Sequence, residues 1–315
     1  MYYIGIDIGG TDLKTAIVDA QGKILAKAQC PTFANRAYQD IVKDMCSTAL
    51  EALQESGVQL TDIHSVGVGI PGIANENTGK VIFCTNLSWY DIPLAEEIQK
   101  HINKPVFINN DATVAGYAES MAGVSKDTHS SVFITLGTGI GAGIVINGKP
   151  WSGFHGIGSE LGHATLDMID GVQCTCGNKG CVERYCSATA IIRMAKEALA
   201  NIDNNLMLQK CNGNLDNLNA KMIFDAAKEG DPIATNVFNT YIEYLCKTIA
   251  MVINIIDPEV IVLGGGLSKA GDFLLNAVNA NIEKHLLFKT CAYPRIAIAK
   301  LGADAGVIGA ALLGK

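Results

Sequence analysis

The densest group of chemistry-bearing side chains lies in GVQCTCGNKGCVE, where Cys174-x-Cys176-x4-Cys181 is interleaved with Gly177 and Gly180. Glycines at those places let a chain fold sharply around a centre. Three thiolates leave a closed tetrahedral zinc site one ligand short, and His163, a little upstream, can supply the fourth. The spacing departs from the common C-x2-C pattern, so reduced thiols packed as small apolar groups are the competing reading. Cys186 falls outside the pattern. With four protein ligands no position is left for water, and the zinc of such a site is structural.

Two glycine turns form a second group. Gly9-Gly10-Thr11 and Gly137-Thr138-Gly139 let backbone N–H groups approach an anion without interference from Cβ, and a threonine hydroxyl adds a donor. One such turn alone reads as a tight hairpin. Here the turn recurs inside a repeat, because IDIGGTDLKTAIVD from Ile6 corresponds to ITLGTGIGAGIVIN from Ile134, and recurrence favours nucleotide phosphates. The run from Gly137 to Ala142 also satisfies GxGxxA, but it continues as a strand instead of opening a helix, which rejects a dinucleotide fingerprint. No Walker pattern is present. Asp7, at the end of the first strand, either holds Mg2+ directly or through water, or caps the turn. Lys14 either reaches a phosphate or is an exposed hairpin lysine.

The third candidate is Asp111. Phosphoryl transfer to an alcohol needs an in-line hydroxyl, a metal to neutralise phosphate charge and a group to accept the hydroxyl proton. Asp111 follows an expected strand and precedes an expected helix, which places it at the carboxyl end of a strand, where open α/β sheets bind ligands. Capping the helix that starts at Ala112 is its alternative role.

The elements that position these groups alternate β and α. Strands are expected at Tyr3–Ile8, Lys14–Asp19 and Lys23–Gln29, then a helix at Tyr38–Ser56, with apolar Ile41, Met45, Ala49 and Leu53 and a stop at Gly57. A strand at Val66–Ile70, a helix at Pro93–Ile102, a strand at Val106–Asn109 and a helix at Ala112–Met121 continue the pattern. Further on come a buried helix at Ile233–Ile256, a strand at Val260–Leu263, a strand at Arg295–Ala299 and a closing helix at Ala303–Leu313. This alternation predicts α/β architecture with largely parallel sheets.

The 315 residues suggest two domains, and 24 basic against 31 acidic side chains, a formal charge of −7, give no reason to expect nucleic acid or a membrane surface as partner. The beginning, MYYIGIDIGG, lacks a signal-peptide pattern, so a cytoplasmic enzyme is expected. In that compartment the ten cysteines stay reduced thiols.

DIGGTDLK, LGTGIGAGIV, INNDA, LGGG and the run Glu160-Leu161-Gly162-His163 followed by the cysteine set together resemble the ROK family of sugar kinases and repressors, over essentially the whole chain. This chain carries Asp12 where many members have Asn or Lys. The resemblance implies the two-lobed actin-like (Hsp70-like) ATPase fold with duplicated ribonuclease H-like lobes. These would be residues 1–112 plus about 301–315, and residues 113–300 with a zinc loop at 163–181. It implies ATP and Mg2+ held by Asp7, Gly9, Gly10, Thr11, Lys14, Gly137, Thr138 and Gly139, with Gly264, Gly265 and Gly266 on the adenosine side. Asp111 would be the catalytic base. Sugar hydroxyls would be met by Gly72, Asn86, Asn110, Asp111, Glu160, His163 and Glu183, and the metal ligands would be His163, Cys174, Cys176 and Cys181. Glucose phosphorylated at O6 is the expected reaction, with N-acetylmannosamine, N-acetylglucosamine, allose or fructose as alternative sugars. A sugar-responsive repressor is the alternative class, disfavoured because the phosphate hairpin starts at Asp7 and leaves no room before it for a helix-turn-helix. A homodimer or homotetramer is expected, also by resemblance.

Overall fold

A computed structural model of the chain describes all residues, Met1–Lys315. Strands β1 (Tyr2–Ile8), β2 (Asp12–Asp19) and β3 (Ile24–Pro31) form an antiparallel meander. Helix α1 (Tyr38–Ser56) follows, ending at Gly57 in the left-handed region (φ 72), and leads into β4 (Ile63–Ile70). Its buried residues Ile41, Met45, Ala49 and Ala52 recur at helical spacing and pack on Ile4, Ile6, Ile8 and Ile17 of the meander. Each isoleucine or methionine among them contributes about 1.5–3 kcal/mol when withdrawn from water, and each alanine methyl under about 1 kcal/mol. Three short antiparallel strands, β5 (Ile73–Asn75), β6 (Lys80–Cys84) and β7 (Trp89–Ile92), make a small separate sheet that the sequence did not announce. Then come α2 (Leu94–Gln99), β8 (Val106–Asn110) and α3 (Asp111–Ala122).

The repeat opens with β9 (Ser130–Leu136) and β10 (Ile140–Ile146), followed by β11 (Lys149–Trp151). Helices α4 (Glu183–Cys186), α5 (Ala188–Ala198), α6 (Leu206–Lys210), α7 (Ala220–Lys228) and α8 (Pro232–Ile256) precede β12 (Val260–Gly264). Helix α9 (Asp272–Ile282), β13 (Arg295–Ile298) and α10 (Ala305–Leu312) close the chain. The start of α8 has the expected chemistry: Asp231 accepts from the Ala234 amide at 2.8 Å, and Pro232 occupies the first turn, where its missing N–H costs nothing.

Two five-stranded sheets result, ordered β3-β2-β1-β4-β8 and β11-β10-β9-β12-β13. In each, a meander of three consecutive strands is extended by two later ones, and the later pair is parallel in both. The duplicated hairpin in the sequence therefore marks a duplicated sheet. By packing, the chain divides into one unit of residues 1–133, 142–159 and 299–315, and another of 134–141 and 160–298. The boundary thus differs from the expected 112/113: α3 belongs with the first unit because it packs along α10, which also covers β1 and β4. No helix is long and apolar enough to cross a membrane.

Candidate functional site

In the first unit, β1 delivers Asp7 and β2 delivers Lys14 directly opposite it in the antiparallel ladder. Burial raises the Asp7 carboxyl above its ordinary value, and the Lys14 charge pulls it partly back. The lysine therefore has a carboxylate neighbour and is not a bare surface charge. Between them the turn is braced from inside, since the Gly9 amide donates to the Asp12 carbonyl at 2.8 Å. It is also braced by Thr32, whose buried hydroxyl donates to the Gly9 carbonyl at 2.8 Å and whose amide donates to the Thr11 carbonyl at 2.8 Å. Spacing gave no hint of Thr32, which lies across the sheet at the end of the third strand. Asn86, exposed on a short 3-10 turn, stands over Gly10, so close that a Cβ at Gly10 would lie 3.5 Å from the Asn86 Cβ. The structure thus brings an expected sugar ligand beside the first glycine turn.

Asp111 sits where β8 gives way to α3, at the first helical position. The cap is Asn110 instead: its side-chain oxygen accepts from the amides of Ala112 (2.9 Å) and Thr113 (3.1 Å). Its side-chain nitrogen donates to the Gly72 carbonyl at 3.1 Å. Asn110 is therefore largely committed to backbone, with one side-chain N–H left over. Asp111 accepts from the Ala112 amide at 2.8 Å. Behind it, buried Asn109 accepts from the Ser152 hydroxyl at 2.9 Å and donates to Glu76 at 3.2 Å, a network that only folding assembles.

The second glycine turn lies in the other unit. Its Gly137 amide donates to the Gly139 carbonyl at 3.1 Å, repeating the internal brace of the first turn. The carboxylate of Glu183 accepts from the Ile140 amide at 3.1 Å, and a Cβ at Gly139 would fall 2.3 Å from that oxygen, so only glycine admits the carboxylate. Glu183 turns to the glycine turn and not to Arg184, the ion pair that a surface carboxylate at a helix start would have suggested. Gly265, after β12, backs the same hairpin, with a Cβ there only 2.6 Å from the Leu136 carbonyl oxygen; Gly264 ends the strand and Gly266 follows.

Glu160 lies within electrostatic reach of both His163 and Glu183. Desolvation raises the Glu160 carboxyl, the His163 charge lowers it, and the Glu183 charge raises it again. His163 also belongs to a metal-type cluster: ligand atoms of His163, Cys174, Cys176 and Cys181 all lie within 4.8 Å of one another. The Cys176 and Cys181 sulfurs are 3.6 Å apart, and the Cys174 sulfur is 3.8 Å from His163 Nδ1. A tetrahedral centre with metal–sulfur bonds of about 2.3 Å sets its sulfurs roughly 3.8 Å apart, so this soft donor set fits zinc. Against desolvation, which raises it, hydrogen bonds from Cys176, His163 and Cys181 bring the Cys174 thiol down to about 7. Thiolate is the form a metal takes. Cys186 stays apart, buried, with its thiol pushed up to about 12 and its sulfur 3.4 Å from the Thr248 hydroxyl.

The profile of the ROK family matches residues 3–315. Over 315 residues the chain is 35% identical to a glucokinase of Halalkalibacterium halodurans, covering all of this chain and 95% of that protein. It is 34% identical to a glucokinase of Thermotoga maritima, covering 98% and 95%. Among solved structures, a ROK family glucokinase of Streptomyces griseus in complex with glucose and AMPPNP superposes with a TM-score of 0.82 at 31% identity, covering 99% of this chain and 98% of that one. The fold is the two-lobed actin-like ATPase fold. The chain belongs to the ROK family.

Proposed function

We propose that the protein is a cytoplasmic ATP-dependent glucokinase that phosphorylates glucose at O6. The observation that carries this is similarity at 34–35% identity, over nearly full length, to two glucokinases. The residues are consistent with it. Asp111 would accept the proton of the sugar's 6-hydroxyl as the O–P bond forms. Asn110, by capping α3 and bonding Gly72, would hold that carboxylate in place, with its spare N–H and the Gly72 and Asn86 region lining the sugar. The two glycine turns, with Lys14, would receive the nucleotide phosphates, and Gly264, Gly265 and Gly266 would approach the adenosine. Asp7, whose carboxylate is costly to ionise where it is buried, would hold Mg2+, which supplies neutralisation of phosphate charge.

Glu160 and Glu183 would accept hydrogen bonds from ring hydroxyls at the end of the sugar away from O6. His163 serves two roles without conflict because the imidazole has two nitrogens: Nδ1 faces the cysteines, and its engagement there leaves Nε2–H as a donor for a hydroxyl. Zinc in the cluster would supply rigidity, with no ligand position left for water. A 2-acetamido group must replace one hydroxyl donor and find volume, which should cost about 1–3 kcal/mol of transition-state discrimination. A coupled assay across hexoses and N-acetylhexosamines at matched ATP and Mg2+ tests this. Glucose should show the highest kcat/KM, and more efficient turnover of an N-acetylhexosamine or of fructose would replace glucose as the substrate.

A further inference from the structure

The tip of the second glycine turn is gripped by the segments to which sugar binding is ascribed above. Glu183 accepts from the Ile140 amide at 3.1 Å. Two bonds farther along fix the same segment to the same turn: the Ala188 amide donates to the Gly137 carbonyl at 2.8 Å, and the Thr189 hydroxyl donates to the Thr138 carbonyl at 2.8 Å. From the other side Gly162, one residue before His163, lies against the Ile140 carbonyl, where a Cβ would come within 2.2 Å of the oxygen. Four consecutive residues, 137–140, are thus held by groups flanking Glu160, His163 and Glu183.

A carboxylate has two oxygens and about four acceptor positions. In Glu183 one oxygen is placed on the turn, and the other is available to a hydroxyl. We infer that Glu183 is a positioning residue that couples the two substrates: one carboxylate bridges the sugar hydroxyls and the Ile140 amide, so a bound sugar fixes the second phosphate turn and tightens nucleotide binding. The inference rests on the reading of Glu183 as a sugar ligand and of the turn as a phosphate site. Without sugar, Glu183 keeps only its bond to the turn, and the turn is held less firmly. Linkage then requires the reciprocal effect, nucleotide tightening sugar by the same factor.

The test is a binding cycle by titration calorimetry, measuring the Kd of a non-hydrolysable ATP analogue with Mg2+, with and without saturating glucose, and the Kd of glucose alone. In the native protein glucose should tighten the analogue by about fivefold or more, the lower range of measured couplings. Two variants interrupt the bridge differently. Glu183→Asp keeps the charge but is one methylene short of reaching both partners, and Gly139→Ala keeps the glutamate but pushes its oxygen off the turn. In each, the coupling factor should fall to within about twofold of one, while the analogue's Kd without glucose changes less than its Kd with glucose. A native protein without coupling overturns the inference. So does an unchanged coupling factor in a folded variant whose glucose affinity has dropped, an outcome that leaves Glu183 a sugar ligand and the kinase reading intact. Unchanged glucose affinity in Glu183→Asp removes Glu183 from the sugar site and the inference with it. Should Glu183→Asp not fold, Gly139→Ala carries the same decision.

Discussion

Asn110 bonds the Gly72 carbonyl with its side-chain nitrogen at 3.1 Å while its oxygen caps α3. The same side chain therefore ties the loop after β4 to the residue preceding Asp111. Asp111 is thereby held on a fixed backbone at the first helical position, its carboxylate accepting from the Ala112 amide at 2.8 Å.

Asp111→Asn should leave the fold and glucose binding largely intact and lower kcat by about a hundredfold or more, the scale of a lost general base. Single-turnover kinetics beside a glucose titration of the variant check this. Near-native turnover in a folded variant removes Asp111 from the proton transfer.

Asn110→Ala should lower stability by about 1 kcal/mol through the lost cap and also depress kcat, because the Gly72 tie goes with it. Asn110→Asp keeps an acceptor for the cap but cannot donate to Gly72, so its stability should lie nearer native while kcat stays depressed. If both variants lose only stability, measured by urea unfolding and steady-state kinetics, the positioning role of Asn110 is lost.

The protein prepared without chelators should contain one zinc per chain, and Cys176→Ala should lose both the metal and several degrees of melting temperature, since a structural zinc contributes to folding free energy. Metal analysis and thermal melts decide it. Chelation should act as a destabiliser, with no competition against glucose. Zinc-free protein of native stability contradicts the assignment of His163, Cys174, Cys176 and Cys181.

Much of this was legible in the sequence. Helix α1 was readable to the residue, because its apolar positions follow the helical repeat and Gly57 supplies a left-handed stop. The paired hairpins gave the duplication, because a strand, a glycine turn and a strand leave the same mark twice. The small sheet of β5, β6 and β7 was not readable, since strands of three to five residues carry too few alternations to reveal a period. Helices α5 and α7 had signals that a search for caps would have found: Ser187 accepts from the Ala190 amide at 3.1 Å and Asn219 from the Met222 amide at 3.0 Å. The candidate residues were named by type and motif, but their partners were not. Buried Glu119 accepts from the amides of Lys300 and Leu301, each at 2.8 Å, a clasp between residues far apart in sequence that no local pattern encodes. Thr32 and Thr189, which brace the two glycine turns, are hidden for the same reason.

Asp7→Asn should separate stability from function. Burial raises the folded-state pKa of Asp7 above its unfolded value, so its contribution to stability is fully present below the unfolded pKa and is lost as pH rises through the folded one. Above the unfolded pKa, folding of the native protein therefore bears the cost of desolvating or protonating this carboxyl, a cost the variant lacks. Without ligands, Asp7→Asn should melt higher than native protein at neutral pH, and the gap should close as pH falls toward 4. Its affinity for Mg2+ with nucleotide should meanwhile drop. A variant that melts lower at neutral pH would falsify the electrostatic account of Asp7.

The carbon that receives the phosphate reveals which end of the sugar faces Asp111. The purified protein, incubated with glucose, ATP and Mg2+, yields a product in which phosphorus–proton correlation by NMR identifies the phosphorylated carbon. Phosphate is expected on C6, with Asp111 beside the 6-hydroxyl and Glu160, His163 and Glu183 at the opposite end of the sugar. Phosphate on C1 would mean that the sugar lies reversed, and no sugar phosphate at all would contradict the kinase reading itself.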